Sequence, residues 1–156
     1  VVKGMMPGIG EPVFEKLDAN LAKAVMSIGA VKGVEIGDGF ASAESFGSSN
    51  NDAFCLDQDK HITKATNHAG GILGGISDGS DVILRAAVKP TPSIAKTQQT
   101  VNRDKEPIAI EIGGRHDPII VPRAVVVVEA MTAITVFDMM MESMSSNLDR
   151  IKRFFS

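Results

Sequence analysis

Gly114-Arg115-His116-Asp117-Pro118, followed by Val121-Pro122-Arg123-Ala124-Val125 and then Glu129-Ala130-Met131, is the stretch on which the fold turns. A turn opened by glycine carries a guanidinium, an imidazole and a carboxylate, and a long apolar segment follows at once. Pro122 suits the first position of a helix, where its missing N–H costs nothing. The spacing predicts a helix from Pro122 to Met144, with Glu129, Thr132, Thr135, Asp138 and Glu142 near one stripe. Nearly every other position is Val, Ala, Ile, Phe or Met, so the helix is expected to be covered on most sides. A membrane span needs ~20 predominantly apolar residues. Arg123, Glu129 and Asp138 interrupt this one, so a core helix is expected and no membrane is invoked.

Upstream of the turn, Ile108, Ile110 and Ile112 alternate with Ala109 and Glu111, the pattern of a half-buried strand. Val82 to Val88 is apolar enough for a strand buried on both faces. Val31, Gly33, Val34 and Ile36 suggest another strand. Phe14, Leu17, Leu21, Val25 and Ile28 recur at helical spacing, predicting a helix that Pro12 begins and Gly29 ends as its C′ residue. Val1 to Lys3 reads as the end of a strand, and Pro7 to Gly10 as a turn. From Ala41 to Asn67 no apolar period survives. A structureless loop of that length is uncommon in a compact domain, and reads either as a functional, mobile loop or as a surface insertion. Residues 145–156 form a polar tail with a basic end and room for a short helix. There is no internal repeat.

The 156 residues are enough for one domain, and the formal net charge of −3 gives no sign of a nucleic-acid partner held by bulk electrostatics. Seven Phe stand beside no Tyr and no Trp, which lowers the case for a module that stacks bases or sugars. One cysteine, Cys55, excludes an internal disulfide and fits a reducing, cytoplasmic setting. No signal peptide is visible. The first residue is Val1 rather than Met, which fits processing or a piece of something longer.

Three segments have the residue types for chemistry. Gly70-Gly71-Ile72-Leu73-Gly74-Gly75 is not a dinucleotide fingerprint. Its glycines allow either close approach to a ligand or tight packing of two strands. Lys89-Pro90-Thr91-Pro92-Ser93 is a stiff loop bearing a cation and two hydroxyls. It is a reasonable phosphate contact, or else an extended linker. Arg115 offers a fork for phosphate or carboxylate. Asp117 can serve as a base, or can pair with Arg115 to pin the turn. His61, His68, His116 and Cys55 are too scattered to suggest a metal set.

Taken in order, Gly10-Glu11-Pro12-Val13-Phe14, Ala30 to Phe40, Asn67 to Ser77, Lys89 to Ile94 and Gly114 to Pro118 resemble the C-terminal portion of chorismate synthase, with similarity from about Val1 to Asp138. The resemblance implies an α+β fold in which helices are enclosed between antiparallel sheets, a β-α-β sandwich of which this chain is a partial domain. Residues 1–144 would belong to that domain, with a flexible loop at 41–67, and 145–156 to a tail. It implies elimination of phosphate from 5-enolpyruvylshikimate 3-phosphate to give chorismate, the last step of the shikimate pathway. The cofactor implied is reduced FMN, with NADP as an associated nucleotide and a homotetramer as the complete assembly. Its FMN-contacting positions fall here on Gly29, Ala30, Gly74, Lys89, Pro90, Thr91, Pro92, Ser93 and Arg115, and its proton-moving aspartate on Asp117.

Departures from the family pattern are visible. Val126 stands where proline is usual, and Ile119 where cysteine is frequent. The family is roughly twice this length. Its functional histidines and several substrate-holding arginines belong to a portion not found here, so the chain by itself is expected to be inactive. A non-catalytic module that binds FMN or phosphate, or serves assembly, is the alternative.

Overall fold

The computed structural model describes residues 1–116 and 118–156. Elements follow in the order α1 (Leu17–Met26), β1 (Val31–Ile36), a 3₁₀ segment (Gly39–Glu44), β2 (Phe54–Leu56), β3 (Ile62–Lys64), β4 (Ile72–Leu73), β5 (Ile76–Ser77), β6 (Leu84–Val88), β7 (Gln98–Val101), β8 (Pro107–Ile110), α2 (Val121–Ser145) and α3 (Leu148–Phe155). Helices and small antiparallel sheets make an α+β partial domain. The strands pair as β1–β6, β2–β3, β4–β5 and β7–β8.

The core is small and forms where α1, α2 and the first strands meet. Leu17, Leu21 and Val25, one face of α1, are fully buried. Leu17 and Leu21 join Met5, Ile9, Ile72, Val82, Val136 and Met139 in one cluster. Burying a side chain of this size gives ~1.5–3 kcal/mol, so this cluster sets where the other elements sit. The helix expected from Pro12 begins only at Leu17, because residues 12–14 bend and Phe14 points outward at 85% exposure. Ser27 closes the helix, its N–H and hydroxyl both donating to the Ala24 carbonyl. The left-handed turn expected at Gly29 falls instead on Ala30, with φ 70°.

α2 covers the expected span, with a proline in its first turn. The expected cover is missing. Thr132, Val136, Met139 and Ser143 form its buried stripe, at helical spacing. Val126, Ile134 and Phe137 are each more than 60% exposed. α2 is long and apolar enough to cross a membrane by length and composition. Its buried stripe packs in the core with α1.

β6 departs from its expected two-sided burial. Leu84, Ala86 and Val88 are half-buried, while Arg85 and Ala87 face outward. β8 is exposed along its whole length, not half-buried, because its only sheet partner among the described residues is the polar strand β7. That strand, Gln98-Gln99-Thr100-Val101, has no apolar alternation to betray it.

The stretch 41–67, read from sequence as structureless, contains most of the 3₁₀ segment and the β2–β3 hairpin. Polar side chains build it. The Asp57 carboxylate caps the hairpin turn by accepting from the Asp59 and His61 N–H groups at 2.9 and 2.8 Å. Lys64, at the end of β3, pairs with Asp78, and both side chains are nearly buried. Burial alone would raise the Asp78 carboxyl. Hydrogen bonds from Lys64 and from the Ser80 N–H and hydroxyl, with the charge of Lys64, outweigh it and hold the group below its usual range.

A carboxyl whose folded pKa is depressed adds stability above its unfolded value, ~3.9. That contribution is lost as pH falls through the folded value. Asp78→Asn strands a buried ammonium, so a loss of about 3 kcal/mol is expected at pH 7. The loss relative to the unchanged protein should shrink as pH drops below about 4. Urea melts of both proteins at pH 7 and pH 3 check this, and an equal difference at the two values would contradict it.

Candidate functional site

Of the positions singled out from sequence, Gly29, Ala30 and Lys89 lie at one end of α1 and Gly74 at the other. At the first end, α1 closes and the chain turns through Gly29 and Ala30 into β1. The Lys89 N–H donates to the Ala30 carbonyl at 2.7 Å, one step past the Val31–Val88 pair. Two segments that lie 59 positions apart are thereby joined by a direct hydrogen bond. From Lys89 the chain runs on without regular structure, with Lys89, Pro90 and Pro92 exposed and Thr91 and Ser93 half-buried. Gln98 pins it by donating to the Pro92 carbonyl at 3.1 Å. An exposed ammonium, two hydroxyls and two φ-fixed prolines make a rigid ledge with donors for an anionic oxygen.

Gly74 sits at the other end. Gly74 and Gly75 form the two-residue turn between β4 and β5, with φ of 60° and 88°, the geometry in which glycine is favoured at both places. The Gly75 carbonyl accepts from the Leu17 N–H at 2.8 Å, which fixes the turn against the start of α1. Ten helical residues, ~15 Å of axis, separate it from the Ala30–Lys89 end. The tight-packing reading of the glycine run therefore describes most of it. A Cβ at Gly70 would overlap the Gly37 backbone, one at Gly71 the Asp81 carbonyl, and one at Gly75 the Lys16 side chain. Gly74 alone of the four glycines has open space around it, with nothing within 4 Å of the place its Cβ would take.

Arg115 lies in the irregular stretch after β8, exposed and without an ion pair among the described residues. His116 is held by its Nε2, 2.9 Å from the Ile112 carbonyl. Asp117 lies outside the described residues.

A polar cluster that sequence reasoning did not single out lies where Gly37 packs against His68 and Gly70. His68 Nδ1 lies 2.6 Å from an oxygen of Asp38. The Asp52 carboxylate accepts from the Thr66 hydroxyl and from the N–H groups of His68 and Ala69. Partial burial works against its charge. The Ala69, Thr66 and His68 bonds and the charge of Lys64 prevail, keeping this carboxyl below the ordinary range. A carboxylate-held imidazole can orient or carry a proton. Asp38 and His68 are 30 positions apart, and the Gly37–Gly70 packing with the bond from the Asp38 N–H to the His68 carbonyl brings them together, so no local spacing could signal the pair. Asp57, Asp59 and His61 bring ligand-type atoms within 4.8 Å of one another. All three are exposed, and Asp57 is already committed to the hairpin turn, so the trio is read as a capped turn.

The comparisons with known proteins converge. The family model described as chorismate synthase matches residues 1–141. A chorismate synthase of Lachnospira eligens is 62% identical over 154 residues, covering 99% of this chain and 42% of the relative. One from Archaeoglobus fulgidus is 61% identical over 142 residues, covering 90% and 39%. A crystal structure of chorismate synthase matches with a TM-score of 0.69 at 32% identity, covering 98% of this chain and 38% of that one. The chain thus spans about two-fifths of the length of the curated relatives it matches.

Proposed function

This chain belongs to the chorismate synthase family, and on that premise we propose that it is the C-terminal portion of a lyase that converts 5-enolpyruvylshikimate 3-phosphate to chorismate and phosphate in aromatic biosynthesis. The observation that carries the reading is the family match over nearly the whole chain. The hydrogen bond between Ala30 and Lys89 adds to it, because it joins two segments assigned to one cofactor.

Reduced FMN would supply an electron to the substrate transiently, in a reaction with no net redox change. The residues present suit such a group. Lys89, Thr91 and Ser93 offer a cation and two hydroxyls beside the Gly29–Ala30 turn, with Pro90 and Pro92 holding the ledge stiff. Arg115 offers a second positive fork for a phosphate. Gly74 leaves room at its turn for close approach. Asp117 is the residue proposed to move a proton, and Arg115 to stabilise the departing anion. The 41–67 stretch, with its hairpin, is proposed to be mobile before ligand binds and to exclude water afterwards.

The complete protein is proposed to be a cytoplasmic homotetramer without nucleic-acid or membrane partners. The exposed side of α2 is then inner surface of a larger body and not a bilayer-facing one, which suits the charges of Arg123, Glu129, Asp138 and Glu142. The genetic test joins this chain to the remaining portion of the Lachnospira eligens relative in a bacterium lacking chorismate synthase. Growth without aromatic amino acids is the expected result. Failure to grow, with the fusion folded and abundant, would overturn the reading.

A further inference from the structure

β6 has one paired edge and one open edge. Along the first it meets β1 through Ile36–Leu84, Glu35–Arg85 and Val34–Ala86. Gly37 donates to the Ile83 carbonyl at 2.9 Å, and Lys89 to the Ala30 carbonyl at 2.7 Å. Odd-numbered residues of this stretch therefore turn their backbone groups toward the β1 side. Hydrogen-bonding direction alternates along an antiparallel strand, so Leu84, Ala86 and Val88 turn theirs the other way. Val82, two places earlier, does the same, and there it exchanges both bonds with Val2, at 2.8 and 2.9 Å. Beyond Val82, nothing among the described residues pairs with that edge.

The same even-numbered side chains face a cleft of about 720 Å³ between β6 and α2. Leu84, Ala86 and Val88 line one wall, Val125 and Val128 belong to the other, and Val1 and Val2 also border it. An apolar cleft beside a row of unpaired N–H and C=O groups fits an added strand, which satisfies both at once. The curated relatives are more than twice as long as this chain, which covers 42% of one of them.

We propose that the open edge of Leu84–Val88 receives an extended apolar strand continuing antiparallel from Val2 through Val1, supplied by the part of the family's length that this chain does not span. The Val2–Val82 pair fixes its register. Residues two, four and six places ahead of Val2 would face Leu84, Ala86 and Val88. Facing residues in an antiparallel pair put their side chains on the same side. Those three positions therefore carry apolar side chains that fill the cleft against α2, and the residues between them share the outer face with Arg85. The proposal rests on the relatives' length and not on the elimination chemistry, and its readout is not activity, so the two can fail separately.

Amide hydrogen exchange tests it, measured on this chain at several concentrations and on the complete Lachnospira eligens chorismate synthase. In the isolated chain, Leu84, Ala86 and Val88 should exchange on the order of a hundredfold faster than Arg85 in the β1 ladder. In the complete relative, the positions matching all four should be slow. Fast exchange at the matched even positions of the complete relative would overturn the proposal. So would protection of Leu84, Ala86 and Val88 in the isolated chain that grows with concentration, which would make a second copy the occupant.

Discussion

Purified alone, the 156-residue chain is expected to form no chorismate above background, even with excess reduced FMN. The ledge at Lys89 to Ser93 and the fork of Arg115 can help hold anions, but both are open to water in this chain. Charge stabilisation of a leaving phosphate depends on exclusion of water, where each donor is worth far more than in solution. Gly74 and the Ala30–Lys89 contact lie about one α1 length, ~15 Å, apart, so the proposed cofactor contacts do not close around a single point here. The histidines and most of the arginines implied by the family resemblance are outside the chain. The expected outcome is therefore complete loss, not weak turnover. Chorismate absorbance and phosphate release, followed under anaerobic conditions, check it. Turnover above background from the purified chain would contradict the proposal that the remaining portion is needed.

In a complete protein, Asp117→Asn is expected to lower turnover by a factor on the order of a hundred or more, with little change in substrate affinity, because an amide cannot accept or return the proton. Arg115→Lys is expected to harm more than its conserved charge suggests, since a lysine cannot reproduce the planar two-point fork. The competing possibility is a turn pinned by Arg115 and Asp117 for structural reasons only. It makes a different forecast: both variants melt earlier, and their rates recover when assayed well below the melting point. Steady-state rates and Tm on the same two variants separate the outcomes. Normal rates with a lowered Tm would remove Asp117 from the proposed chemistry.

Much of the fold could be read from apolar spacing, and the misses share a cause. Leu17, Leu21 and Val25 announced α1, and the valine-rich run announced α2, because each pattern repeats over at least two turns. Phe14 fits the α1 period but lies before the chain begins to coil, so periodicity extended the helix by a turn. The β2–β3 hairpin and strand β7, the partner of the expected strand β8, escaped notice because hydrogen bonds accepted by Asp57 and Asn102, with those of the backbone, hold them, and not a buried face. The cover expected over α2 and β6 is missing because burial belongs to the whole folded body, of which residue spacing reports only one side.

The candidate site divides in the same way. Lys89 to Ser93 and Arg115 stood out because unusual residue types sit together in sequence. His68–Asp38 and Lys64–Asp78 did not, since each pair joins residues well apart in the chain, the first where Gly37 packs on Gly70. The bond between Ala30 and Lys89 likewise depends on the β1–β6 register, which is not written in either segment alone.

The most direct measurement takes the fusion of this chain to the remaining portion of the Lachnospira eligens relative and assays it with 5-enolpyruvylshikimate 3-phosphate under anaerobic conditions. With reduced FMN, chorismate and phosphate should appear in equal amounts. With oxidised FMN, or with the chain left out, neither should appear. Phosphate release without chorismate, or no product from a folded fusion with reduced FMN, would contradict the proposed elimination.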